Sequence, residues 1–231
     1  MGSVWFLNMH LALTARLFCP RCGPDFGLIL LAREVKDRRV LEGDLGCANC
    51  RETYPVRGGF GDLRIPPRTP ASEPEAAFDP ESVDPQEVLR LGALLGVTEG
   101  PGTLLIKGPA ACFAADLAKL IGGVEVVGLE EKLIGEEESE GVSRMVSHPR
   151  IPFFSRSLSG ILLSGEIGTV DLDESARAIV PSGRVVVLDS SPGDAQRLQA
   201  LGLKVILQEE GALVARQEKS SAPPLVTLRG L

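Results

Sequence analysis

Four of the five cysteines in this 231-residue chain fall in two pairs, Cys19 with Cys22 and Cys47 with Cys50. A CxxC turn aims two sulfurs at one point, and two such turns supply the four soft thiolates that close a tetrahedral structural Zn²⁺ site. The 24 residues between the pairs are somewhat long for a zinc ribbon, and they can form a hairpin or a helix. Two readings compete. Disulfides require an oxidising compartment, and a redox CxxC is single and opens a helix after a strand. The spacing favours zinc, and with all four positions taken by sulfur no coordination site is left to activate water. So small a module buries little core, so metal binding is part of its folding free energy.

The elements that must hold these cysteines begin at the N-terminus. Residues 1–16 are apolar but lack a basic leader and an Ala-x-Ala cleavage site, and they are too short to span a membrane. Trp5, Phe6, Met9, Leu13 and Leu17 suit a first strand or helix docked on the ribbon, and Met9 is an equally good natural start. His10 reads as surface or core rather than as a fifth ligand. The expected compartment is the cytoplasm. A net charge of −7 argues against broad nucleic-acid binding through a basic surface. Residues 16–64 are slightly basic, with Arg16, Arg21, Arg33, Lys36, Arg38, Arg39, Arg51, Arg57 and Arg64 interspersed with acids. That mixture reads as a solvated mixed-charge surface.

Proline-rich residues 65–83 read as a partly extended spacer, with Phe78 as an anchor. The pattern changes from Asp84. Helix-spaced Val88, Leu91 and Leu95 follow an Asp-Pro cap. Apolar strands at 103–107, 124–130, 142–147, 159–165 and 183–189 then alternate with helices at 108–123, 171–180 and 192–201. Two last strands lie in 203–217, around Glu210-Gly211. This predicts an α/β fold, a doubly wound and mostly parallel sheet ending in an antiparallel hairpin. The domains expected are a zinc ribbon (1–64), a linker (65–83), a Rossmann-type domain (84–217) and a tail (218–231), disordered or docked.

Two resemblances attach to these residues. CPRCG (19–23) and LGCANCRETYPVRGGFGDLR (45–64) resemble the zinc-ribbon activator subunits of tRNA, ribosomal and translation-factor methyltransferases. Tyr54, Pro55, Val56 and Gly59 match that family; Phe60 and Gly61 depart from it, and Arg64 stands where an apolar residue is usual. That family uses its last strand to join a partner's sheet, so the resemblance implies a protein partner, a methyltransferase or a translation component, with RNA contacted indirectly. Residues 84–217 resemble class I S-adenosylmethionine-dependent methyltransferases, above all in ESARAIVPSGRVVVLD (174–189).

Ligands of parallel sheets bind beyond the carboxyl ends of the strands. The second resemblance places a cofactor, S-adenosylmethionine, at Gly108, Ala110, Cys112 and Glu130. Only Glu130, in the ribose-binding position, and Gly108 match the family. Ala110 and Cys112 replace glycines, whose loss forbids the close approach of backbone to cofactor. The strand-end acid gives way to Ile106, and no Asn-Pro-Pro-Tyr motif follows the fourth strand. Read blandly, Glu130 and Glu131 form a solvated turn, Cys112 is a small buried residue and His148 is polar surface. Catalytic residues are not assigned. The leading expectation is a zinc-binding scaffold whose methyltransferase-like domain is degenerate and acts through protein contacts. The alternatives are a divergent active methyltransferase and a ribbon that covers its own domain's sheet edge.

Overall fold

The computed structural model describes residues 9–68, 83–136, 139–209 and 211–218. Trp5, Phe6, Phe78, Glu210 and residues 219–231 lie outside them. No helix among the described residues is long and apolar enough to cross a membrane.

The ribbon begins with β1 (Met9–His10), a one-turn helix α1 (Leu11–Thr14) and β2 (Phe18–Cys19). A long hairpin follows, β3 (Gly23–Lys36) with β4 (Arg39–Cys47). Its two-residue turn puts Asp37 and Arg38 at φ 48° and 63°, and positive φ at both central positions matches the twist of the flanking strands. Alternation then sorts the faces: Leu28, Leu45 and Cys47 point inward, whereas Ile29 and Leu31 are 57% and 58% exposed. Short strands β5 (Thr53–Arg57) and β6 (Phe60–Asp62) complete the module.

The second half runs α2 (Pro85–Leu95), β7 (Gly102–Lys107), α3 (Ala114–Leu120), β8 (Val124–Leu129), β9 (Val142–Val146), β10 (Leu158–Leu163), α4 (Thr169–Ala178), β11 (Ile179–Leu188), α5 (Pro192–Ala200), β12 (Leu203–Glu209) and β13 (Ala212–Gln217). α2 starts where the sequence places it: Asp84 accepts from the Gln86 amide, Pro85 fills the first turn and Gly96 ends the helix at φ 64°. The strands lie in the order β12-β13-β11-β10-β7-β8-β9. Neighbours from β9 to β11 are parallel, and β13 is antiparallel to β11 and β12. This is the doubly wound, mostly parallel sheet with an antiparallel terminal hairpin that the sequence predicts. β7 shows how both faces are filled, since Leu104 and Ile106 join the core under α2 and α3 while Leu105 joins the core under α4 and α5.

The sheet does not end at β9. β6 runs parallel beside it, pairing Phe60 with Arg144, Gly61 with Met145 and Asp62 with Val146, and the Leu63 amide donates to Val146 O at 2.8 Å. The ladder then continues through β5, β4, β3 and β2. Of the segment read as a spacer (65–83), residues 69–82 lie outside the described residues. The described part of that segment folds back, with the Arg68 guanidinium 5.1 Å above the Tyr54 ring and donating to Thr53 O. Ribbon residues Met9, Leu17 and Tyr54 belong to the same apolar cluster as Leu105, Met145 and Leu172, so the two halves share one core.

Two further expectations change in detail. The helix read over 171–180 spans Thr169–Ala178, and its Asp171 carboxylate accepts from the Gly168 amide. Ile179 and Val180 open β11 instead, because a residue before proline is pushed out of the helical region. The solvated-surface reading fails for Arg39, which is 5% exposed.

Candidate functional site

The four cysteines converge. Cys19 ends β2, Cys22 precedes Gly23 at φ 88°, Cys47 ends β4, and Cys50 follows in a turn closed by the Arg51 amide on Cys47 O. All four Sγ atoms lie within 4.8 Å of one another. Cys19 and Cys50 are 3.7 Å apart, and Cys22 and Cys47 3.8 Å. Zn–S bonds of about 2.3 Å in a tetrahedron set sulfur–sulfur edges of about 3.8 Å, and a disulfide would require about 2.05 Å. The donor set fits a four-coordinate metal, and zinc bound there would neutralise the thiolates and cross-link the two knuckles. Burial and the neighbouring thiols push the Cys50 thiol up to about 12, so in the metal-free cluster its proton stays on at neutral pH. The outer groups are in place too. The Tyr54 hydroxyl lies 3.4 Å from Cys19 Sγ, and the Asn49 amide donates to Cys22 Sγ at 3.3 Å. Burial, then contact with Cys19, raises the Tyr54 phenol above its ordinary value, which keeps it a donor. His10 is outside the cluster; its Nδ1 accepts from the Ala12 amide and caps α1.

At the carboxyl ends of the parallel strands, the four residues expected to hold a cofactor lie on two neighbouring turns, where the Gly108 amide donates to Leu129 O at 3.3 Å, beside Glu130. Gly108 leaves β7 at φ 83°, and a Cβ there would stand 2.1 Å from Ser164 O, so the loop is pressed against the end of β10. Ser164 fastens it, its hydroxyl donating to Lys107 O and accepting from the Ala110 amide, both at 2.9 Å. The loop continues as a 3₁₀ turn over Pro109–Phe113. Ala110 and Ala111 are buried in it, joining the core under α2 and α3. Cys112 is half-buried, and burial raises its thiol above the ordinary value. Glu130 turns back to accept from the Lys132 amide, capping the short turn Glu131–Leu133. Leu133 lies over β8 so closely that a Cβ on Gly128 would be 2.4 Å from its Cδ1. Lys107 is paired with Asp171 at 2.9 Å. Pro109 packs on Gly165, where a Cβ would be 2.8 Å from the ring. The crest of the sheet at β7, β8 and β10 is therefore covered in part by this chain's own Ser164, Ala111 and Leu133, with Pro109 exposed and Gly108 and Glu130 half-exposed.

The seam between ribbon and sheet holds residues that the sequence reading passed over. Arg39 of β4 meets Glu125 of β8 with two hydrogen bonds, at 2.5 and 2.9 Å. Ser143 of β9 donates to the same carboxylate and accepts from the His10 amide. Arg64 bridges Asp62 and Glu131. Buried Arg144 donates to Leu133 O, Glu136 O and, across the seam, Gly58 O. Arg64, an apolar position in the resembling family, was the one local sign that this seam is polar.

No family model and no curated protein matches the sequence. Several solved structures are similar in shape. A Galdieria sulphuraria protein described as a sarcosine dimethylglycine methyltransferase is 15% identical, with a TM-score of 0.43 over 53% of this chain and 62% of that one. The complex of the Haloferax volcanii Trm112 methyltransferase activator with a methyltransferase gives 16%, 0.45, 52% and 69%. Precorrin-6y C5,15-methyltransferase from Geobacter metallireducens gives 11%, 0.48, 66% and 100%.

Proposed function

We propose that this chain is a zinc-binding scaffold in which a ribbon of the activator type caps the edge of its own methyltransferase-like domain, and that this domain does not bind S-adenosylmethionine. The observation that carries the reading is the covered crest, where Ser164, Pro109, Ala111 and Leu133 stand over the strands that would carry the cofactor. A bound nucleoside would have to displace Leu133, which is 6% exposed; exposing such a side chain costs about 1.5–3 kcal/mol. It would also break the Ser164 bonds to Lys107 and Ala110, at about 0.5–1.5 kcal/mol each.

In this reading the ribbon and the domain act as one body, the zinc stabilising the hairpin that completes the sheet. β6 has β5 on one side and β9 on the other, so it cannot also join a second protein's sheet. A partner, of translation-machinery or methyltransferase type, would instead meet the stretch of β3 beyond its pairing with β2, where Ile29, Leu31 and Val35 are exposed. Calorimetric titration of the zinc-loaded protein with S-adenosylmethionine and S-adenosylhomocysteine tests the covered crest. The expected result is no binding heat by the parent at millimolar ligand. Micromolar binding by the parent would overturn the reading and restore the active methyltransferase.

A further inference from the structure

A cavity of about 520 Å³ lies at the other end of the parallel strands, where α1 of the ribbon meets the starts of β7 and β8. Its size is that of a small-molecule site, and junctions between packed layers are where such sites form. Leu13, Ala118 and Val124 give it apolar walls. Arg16 is the directed polar group. Its Nη1 donates to Thr103 Oγ1 at 2.7 Å and Ser157 O at 3.4 Å, which tethers one end of an otherwise exposed guanidinium. Its Nε and Nη2 have no hydrogen-bond partner among the described residues, leaving part of a planar fork that matches an oxyanion.

The surrounding charges set what such a fork can take. Arg39 also lines the cavity, but Glu125 matches it. Lys119 stands at the rim, 73% exposed and paired with Asp116 at 3.2 Å, a contact weak enough to exchange for a ligand. Glu140 lines the cavity with the opposite sign, which limits the negative charge accepted. His10 takes the Ala12 amide on Nδ1, so its neutral ring carries the proton on Nε2 as a further donor. Burial, reinforced by Arg39, Arg38 and Arg16 against the pull of Glu125, lowers its pKa and keeps it neutral at neutral pH.

We propose that this cavity binds a small organic anion, its carboxylate or phosphate head held by Arg16 and its compact apolar body by Leu13, Ala118 and Val124. The site is at the opposite end of the sheet from the covered crest and does not depend on the reading given to that end.

The test is an amide-resonance titration of the full-length, zinc-loaded protein with acetate, isovalerate, inorganic phosphate and glycerol 3-phosphate at constant ionic strength. Saturable shifts at Gly102, Gly122 and Gly123 are expected for one pair of probes, and that pair identifies the head. The probe with a carbon body should bind more tightly than its bare head. Arg16→Gln should weaken binding about tenfold or more, as loss of a charge-assisted hydrogen bond does. Gly122→Asn should block it: a Cβ there meets nothing within 4 Å, and asparagine tolerates positive φ. Should Arg16→Gln lower the unfolding midpoint, Lys119→Glu on the exposed rim provides the charge comparison instead, with the same loss expected. Absence of a saturable shift with all four probes at about 10 mM, where even a millimolar site would fill, would overturn the proposal. So would shifts that persist in the charge variant and in Gly122→Asn.

Discussion

Replacing Arg39 by alanine strands Glu125, and the cost follows from the burial of the pair. The two side chains are 6% and 16% exposed and share two hydrogen bonds. With Arg39 gone, the carboxylate keeps, among the described residues, the Ser143 hydroxyl at 2.5 Å. Removing one member of a buried pair costs about 3–5 kcal/mol, whereas replacing both by apolar residues of similar volume is near neutral. For a chain of this length each kcal/mol moves the unfolding midpoint about 2–4 °C, so Arg39→Ala should lower it by roughly 6–20 °C. Arg39→Met with Glu125→Leu should recover most of that loss. Urea unfolding in zinc-saturated buffer measures both, since excess metal keeps zinc loss out of the comparison. If Arg39→Ala cost less than about 1 kcal/mol, the value of an exposed pair, the seam would be wet and the argument for one joined body would fail.

Three further outcomes are expected. Cys47→Ser should remove the zinc, read by elemental analysis as one equivalent per chain in the parent and none in the variant, and the ribbon amides should lose protection with it. Because Cys50 in the metal-free cluster titrates only at about 12, zinc uptake at neutral pH should release protons, seen as a calorimetric heat that varies with buffer ionisation enthalpy. Asp62→Asn tests the acid limb of stability. Burial works to raise the Asp62 carboxyl, but hydrogen bonds and charge from Arg64, with Arg68 behind, hold it below its ordinary value. Such a group stabilises the fold above its unfolded pKa of about 3.9 and loses that contribution as pH falls through the lower folded value. The parent should therefore exceed Asp62→Asn in stability at pH 7, and the gap should close below about pH 4.

The metal cluster was legible because its information is local: two short turns and four soft donors admit few other uses. The parallel sheet was legible from the alternation of apolar runs with helices. The joining of the two halves entered only as one alternative, drawn from a resemblance, because pairing β6 with β9 is a contact between distant residues that no local pattern fixes. Phe60-Gly61-Asp62 carries no strand pattern of its own; Gly61 lies beneath Met9 and Met145, where a Cβ would be 2.5 Å from Met9 Cε. Arg39 read as a solvent-facing charge and Arg144 was not singled out, since no pattern in one sequence announces that Glu125 or a carbonyl of the ribbon turn will face them. The replaced glycines drew attention to the loop after β7. The residues that cover the crest, Ser164 and Leu133, carry no sequence mark.

Hydrogen exchange at the seam tests most directly whether the ribbon completes its own domain's sheet. In the zinc-loaded protein the Leu63 amide, bonded to Val146 O at 2.8 Å, and the amides of β6 and β9 should be protected together, and chelation of zinc should release those of residues 60–63. Exchange of residues 60–63 at the unfolded rate in the zinc-loaded protein, with β9 still protected, would show a tethered ribbon and contradict the account.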